Sequence, residues 1–230
     1  MSQDDLKRQA AERAVELVED GMVLGLGTGS TARFALEALA ERRRRGELKG
    51  IVGVPTSVAT QQAAELLGIP LSTLEHRPSI DLTLDGADEV DPSLDLIKGL
   101  GGALLWEKIV ASASRRLVIL VDETKLVDRL GQKAPLPVEV VPFGWKTHVD
   151  AVRALGGEPA LRTQNGQPFR TDGGHYVLDC RFPDGIADPD AVEHGLRARV
   201  GVVETGLFLG LATTVVVGTE DGPRLMERER

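Results

Sequence analysis

Cys180 is the single cysteine among 230 residues, which excludes an internal disulfide and leaves no thiolate cluster for a structural metal. Histidine is almost as scarce. His76, His148, His175 and His194 show neither His-x-His nor His-x-x-x-His spacing, so no histidine metal motif is present. Asp85, Asp88 and Asp91 likewise lack the ordered spacing of a calcium loop. Basic residues are outnumbered, 27 Lys and Arg against 35 Asp and Glu, and the formal charge of −8 argues against general nucleic-acid affinity, because binding a phosphate backbone needs a basic face. An anionic ligand must then meet a local cationic site. No run of about 18 uninterrupted apolar residues occurs, and Met1 to Arg8 is polar and charged, without the apolar stretch of a leader peptide. A soluble, cytoplasmic protein with no membrane and no nucleic-acid partner is expected.

What is present is enough hydrophobic side chain, 42% of the residues, for a substantial core in one large α/β domain or in a main domain with a smaller companion. Leu6, Ala10, Ala14, Leu17 and Val18 recur at helical spacing, with Gly21 as the expected stop before an apolar strand, Met22 to Leu26. Helices are then predicted over Thr31 to Arg44, Ser57 to Leu67 and Ala103 to Ala113. They alternate with strands at Ile51 to Val54, Asp81 to Leu84 and Leu117 to Val121. Such alternation implies a Rossmann-like, mostly parallel sheet covered by helices on both faces.

The character changes after Lys125. Gly131 to Pro142 carries several prolines, then come a helix near Thr147 to Leu155 and short strands at Glu158 to Arg162, Pro168 to Thr171 and His175 to Cys180, with turns at Asn165-Gly166 and Asp172-Gly173-Gly174 and a helix near Asp190 to Arg199. Val202 to Leu211 and Thr213 to Val217 are apolar enough to return to the first sheet. The expected organisation is a main domain of residues 1–130 and 203–230 with a smaller α+β domain, 131–202, inserted in it.

Three loops concentrate the chemistry. Gly25-Leu26-Gly27-Thr28-Gly29-Ser30-Thr31 joins a strand to a helix, where backbone N–H groups and the positive end of the helix dipole attract an anion, with the hydroxyls of Thr28, Ser30 and Thr31 as added donors. A dinucleotide fingerprint fails because Ser30 stands where glycine or alanine is required and no acidic residue closes the next strand. A Walker loop fails because Gly29 stands where lysine belongs. The ligand-free alternative is a glycine turn capped by Ser30 or Thr31. Next, Asp85-Gly86-Ala87-Asp88-Glu89 is expected to turn sharply out of a strand, with Gly86 at positive φ, which places two carboxylates at the carboxyl edge where open α/β sheets bind ligands. Lys125, following the Leu117 to Val121 strand, falls on that same edge. Finally, Lys98-Gly99-Leu100-Gly101-Gly102 combines a lysine with a loop free to approach a small ligand, and Glu107 follows in the first turns of a helix. There the dipole favours its carboxylate, whereas desolvation by Leu104, Leu105 and Trp106 would raise its basicity toward that of a general base.

In this order, Gly27-Thr28-Gly29-Ser30-Thr31, Asp85-Gly86-Ala87-Asp88-Glu89, Ile97-Lys98-Gly99 and Glu107-Lys108 resemble the ribose-5-phosphate isomerase A family. Lys125, Pro135 to Val140, Thr171-Asp172-Gly173 and Gly201 to Phe208 extend the resemblance over nearly the whole chain. The resemblance implies interconversion of D-ribose 5-phosphate and D-ribulose 5-phosphate through a cis-enediolate, in the pentose phosphate pathway, with no metal and no cofactor. It puts the base on Glu107, substrate contacts on Thr28, Gly29, Ser30, Thr31, Gly86, Ala87, Gly99, Leu100, Gly101 and Lys125, sugar hydroxyls and ring opening on Asp85 and Asp88, and the developing oxyanion on Lys98. It also implies a homodimer or homotetramer. Leu100, where many members have glycine, and Leu105-Trp106 depart from the family pattern. Two rival readings share these loops. A sugar-phosphate sensor would use the pocket without a base, and a coenzyme A transferase would use Glu107 as a nucleophile.

Overall fold

The computed structural model describes residues 1–228 and resolves into two compact units, each described separately. The first comprises Met1–Ala87, Trp106–Lys125 and the chain from Leu211 onward; the second comprises Asp88–Leu105 and Leu126–Gly210.

The first unit is built on a six-stranded sheet in the order Arg224–Glu227, Thr214–Gly218, Leu117–Asp122, Leu82–Gly86, Val23–Leu26 and Val52–Pro55. All neighbours are parallel except the antiparallel edge strand Arg224–Glu227. Helix Gln3–Val15 starts at a capping box formed by Ser2 and Asp5, and helix Val58–Leu66 starts where the Ser57 hydroxyl accepts the Thr60 N–H; both devices satisfy orphan amide donors. Leu6, Ala10 and Ala14 are buried, and the last two join Leu24, Leu36, Leu39, Leu82 and Leu120 in one core. The chain leaves Val23–Leu26 toward one side of the sheet and leaves Leu82–Gly86 toward the other. The crevice between these neighbouring strands is therefore the switch point at which such sheets bind ligands.

The second unit has a four-stranded antiparallel sheet, ordered Val202–Thr205, Leu136–Val140, Tyr176–Arg181 and Glu158–Leu161, and a small three-stranded sheet of Leu207–Phe208, Leu96–Ile97 and Glu89–Val90. Leu136, Val138, Val140, Leu178 and Cys180 form one core face, against which Val152 and Leu196 pack. Strand alternation sends Glu139 and Asp179 to the opposite face. Burial, with Asp179 adjoining, pushes the Cys180 thiol well above its ordinary range.

Several expectations need correction. The mostly parallel α/β sheet is present, but Val202–Thr205 and Leu207–Phe208 belong to the second unit, so only Thr214–Gly218 and Arg224–Glu227 return to the first sheet. Residues 88–105 also go with the second unit, because Glu89–Val90 pairs with Leu96–Ile97, which in turn pairs with Leu207–Phe208 rather than with the parallel sheet. The prolines of 131–142 concealed a central strand. Pro137 is tolerated there because its carbonyl accepts from Gly206 N–H; a residue in a strand directs N and C=O to the same neighbour, so no ladder bond toward Tyr176–Arg181 is lost. Gly21, at φ +84, lies in the turn before Val23–Leu26, while the first helix already ends at Val15. Glu227 ends the edge strand Arg224–Glu227 and is exposed, and residues 229–230 lie outside the described residues.

Glu89 was not singled out from sequence, yet it is 0% exposed. Its carboxylate accepts the N–H groups of Gly131, Lys133 and Ala134 at 2.5, 2.5 and 2.7 Å, which anchors the segment entering Leu136–Val140. Glu89→Ala strands three donors. It is expected to destabilise the fold by about 3 kcal/mol or more, read by urea unfolding; a loss below about 1 kcal/mol would contradict the anchoring role.

Candidate active site

In the first unit, Gly27 N–H donates to the carbonyl of Leu84, so the glycine loop is stitched to the strand carrying Asp85. That carboxylate, 1% exposed, accepts the N–H of Thr28 at 3.1 Å and of Gly86 at 2.8 Å on the same oxygen. A Cβ on Gly27 would stand 2.2 Å from it, so close approach of backbone to carboxylate requires glycine there. Gly86 itself does not take a positive φ. The strand pairing continues through it, with Asp85 opposite Ile119 and Gly86 opposite Leu120, so the sharp turn expected at this position begins only afterwards.

Gly29, at φ +109, is the N-cap of helix Ser30–Arg44 and supplies no side-chain cap. The structure thereby departs from the ligand-free alternative, since neither Ser30 nor Thr31 caps the helix. A terminus left without a side-chain cap keeps amide donors and partial positive charge directed at the loop. Thr28 points elsewhere. Its hydroxyl lies 2.8, 2.8 and 3.0 Å from those of Thr56, Ser57 and Thr60, while Thr56 and Thr60 donate to the carbonyls of Leu26 and Gly27. This hydroxyl cluster was missed in the sequence. Its signal was Thr56-Ser57-x-x-Thr60 directly after a strand, which reads equally well as an ordinary helix cap. Lys125 ends a short 3-10 helix, Glu123–Lys125, after Leu117–Asp122, so three adjacent strands deliver Lys125, Asp85 and the glycine loop to one carboxyl edge.

Glu107 lies in the first turn of helix Leu104–Ser112 and is 5% exposed. A solvated surface glutamate is thereby excluded. A cleft of about 470 Å3 lined by Val54, Leu71, Leu74, Trp106 and Ile109 contains none of the candidate residues.

In the second unit, Asp88 accepts the Leu100 N–H at 2.9 Å, which joins two sequence-predicted residues directly. Lys98 is 3% exposed; its N–H donates to Gly206 C=O, and its Nζ lies 5.5 Å from the centroid of the Phe208 ring. Gly99, at φ +105, leaves no room for a side chain, because a Cβ would stand 2.8 Å from Leu104 Cβ. Leu100 and Gly101 are exposed. Arg162, which carried no motif in the sequence, donates to the carbonyls of Gly99 and Leu100.

A parallel sheet with a glycine loop and a buried aspartate at its switch point, and a lysine one strand further along the same edge, is the layout of an α/β enzyme whose ligands bind at the carboxyl edge. Residues 52–222 match the model of the ribose 5-phosphate isomerase A (phosphoriboisomerase A) family. A ribose-5-phosphate isomerase A of Gloeobacter violaceus is 59% identical over 96% of this chain and 96% of its own. A D-ribose-5-phosphate isomerase solved in complex with phospho-erythronic acid is similar at a TM-score of 0.96 and 43% identity, covering 99% of this chain and 100% of that one. The ribose 5-phosphate isomerase A of Methanocaldococcus jannaschii superposes at 0.93 with 41% identity, over 98% and 100% of the two chains. The chain belongs to the ribose 5-phosphate isomerase A family.

The geometry around Gly27 sets a test. Gly27→Ala forces Asp85 or the loop to move and is expected to cost about 1–3 kcal/mol in folding stability, with isomerisation of ribose 5-phosphate falling at least tenfold. Thermal unfolding and a ketose-formation assay check both, and a fully active, equally stable variant would contradict the close approach.

Proposed function

We propose that this protein interconverts D-ribose 5-phosphate and D-ribulose 5-phosphate by proton transfer through a cis-enediolate. The observation that carries this reading is family membership across nearly the whole chain, by way of a relative 59% identical over 96% of it. The residue chemistry supports it. Moving a carbonyl between C1 and C2 needs a base that takes a proton from C2 and returns it at C1, and one carboxylate does both. Glu107 is assigned that role: its carboxylate is buried and lies in the first turn of a helix.

General base catalysis contributes roughly 10² to 10⁴ in rate, too little for abstraction beside a carbonyl. Stabilisation of the enediolate must supply the remainder, and that is assigned to Lys98. Asp85 and Asp88 are assigned to the sugar hydroxyls and ring opening. Gly29, Ser30, Thr31 and Lys125 are assigned to the phosphate, with Thr28 bracing the loop through its hydroxyl cluster. Gly86, Ala87 and the backbone of Gly99 to Gly101 complete the proposed substrate contacts. Family resemblance supports a homodimer or a tetramer working in the cytoplasm. No observation favours a sensor or a coenzyme A transferase over the isomerase.

Incubation with ribose 5-phosphate in D2O plus a chelator should yield ketose carrying deuterium on carbon; recovery of unlabelled, unconverted aldose would sink the proposal. Glu107→Gln is expected to keep binding phospho-erythronic acid while kcat falls by about 10² or more, and a variant retaining over a tenth of wild-type kcat rules Glu107 out as base. Lys125→Ala should chiefly raise KM, as a lost phosphate contact does. An unchanged KM removes Lys125 from the phosphate site.

A further inference from the structure

Arg162 immediately follows strand Glu158–Leu161, and its side chain is only 13% exposed. Its guanidinium is clamped by Asp179, Nε donating to one carboxylate oxygen at 2.9 Å and Nη2 to the other at 2.5 Å. Asp179 lies mid-strand in Tyr176–Arg181, paired with Ala160 on one side and Pro137 on the other, so the clamp stands on the sheet itself. The remaining arm, Nη1, donates at 3.0 Å to both Gly99 C=O and Leu100 C=O. The ring of Phe169 lies 5.5 Å from the guanidinium carbon, and Gly102 passes so near that a Cβ there would stand 2.5 Å from Phe169 Cζ.

A trans peptide is planar, with C=O and N–H pointing opposite ways. Pinning the carbonyl of Gly99 therefore turns the Leu100 N–H away from Arg162, and this is the N–H that Asp88 accepts. Pinning the carbonyl of Leu100 likewise turns the Gly101 N–H away from the guanidinium, at a residue that is exposed. Charge-assisted hydrogen bonds to both carbonyls also polarise the two peptides and make their N–H groups stronger donors. Lysine cannot do this. A single ammonium lacks the planar fork that holds a carboxylate with two nitrogens while a third spans two carbonyls.

We infer that Arg162, held by Asp179, is a positioning residue for the isomerisation: it sets the two peptide planes after Lys98 so that one amide fixes the Asp88 carboxylate and the next is presented as an anion donor. The inference rests on the reading that Asp88 and the Lys98–Gly101 loop serve a sugar phosphate. A loop held this way matters more to an enediolate than to the neutral sugar, because the amides are aimed at charge that develops only during reaction.

Arg162→Lys and Asp179→Asn are the primary variants, with Arg162→Ala as the rescue host. Both primary variants should lose at least tenfold in kcat with KM for ribose 5-phosphate changed less than threefold. The inhibition constant of phospho-erythronic acid, whose carboxylate mimics the enediolate, should weaken by a factor similar to the loss in kcat/KM. Guanidinium ion added at tens of millimolar should restore turnover to Arg162→Ala, and methylammonium should not. Should Arg162→Ala fail to fold, the lysine variant carries the test. A folded Arg162→Lys with more than half of wild-type kcat and an unchanged inhibition constant would overturn the positioning role while wild-type turnover in the same assay upheld the isomerase reading. Wild-type protein that converts no ribose 5-phosphate overturns both.

Discussion

The first unit depends on a buried carboxylate that has to be met by backbone. Asp85 sits at the end of a central parallel strand with 1% of its surface exposed, where an ionised group is costly unless hydrogen bonds replace water. One of its oxygens takes the N–H groups of Thr28 and Gly86, and the first of these is reachable only because the preceding Gly27 has no Cβ. The glycine loop is thus held by the requirement to solvate Asp85. Two neighbouring constraints follow from it: Thr28 turns its hydroxyl into the cluster of Thr56, Ser57 and Thr60, and Gly29 opens the helix without a side-chain cap.

The second unit solves a comparable problem with the charges reversed in role. The Lys98–Gly102 segment is rich in glycine and would be loose in isolation, since glycine loses the most conformational freedom on ordering. It is fastened through its peptide groups, by Gly206 on Lys98 N–H, by Asp88 on Leu100 N–H and by Arg162 on two carbonyls. Fastening a loop by its backbone leaves its side-chain identity comparatively open, which lets a residue as large as Leu100 occupy the loop. The Leu100 side chain is exposed, and both of its peptide groups are engaged regardless.

Where the chain was legible, its signals were local and repeated. Apolar spacing located the helices and the parallel strands to within a few residues, and the turn at Asn165-Gly166 stands as read, with both residues at positive φ. The misreadings share one cause. Pro135 and Pro137 read as part of a change of character between domains, yet they lie beside and within a central strand, because only the neighbouring strands reveal which side of Pro137 needs a donor. Val202 to Leu211 looked like a return to the parallel sheet, because an apolar run carries no mark of the sheet it will join. Gly86 suggested a turn because glycine so often makes one, whereas here it continues a strand.

Among the candidate residues, Asp85, Asp88, Lys98 and Glu107 could be picked out from the amino-acid order because charge flanked by glycine and apolar side chains is expensive to bury without purpose. Order along the chain also sufficed to exclude disulfides, zinc clusters and nucleotide loops, each of which demands particular residues at particular spacings. Arg162 and Glu89 were invisible at that level. The carbonyls that Arg162 meets lie 63 and 62 positions away and the amides that Glu89 meets 42 to 45, and a hydrogen bond of that span leaves no periodic trace in one chain. Folding alone determines which distant carbonyl meets a guanidinium, because strand pairing sets the register and register sets the reach.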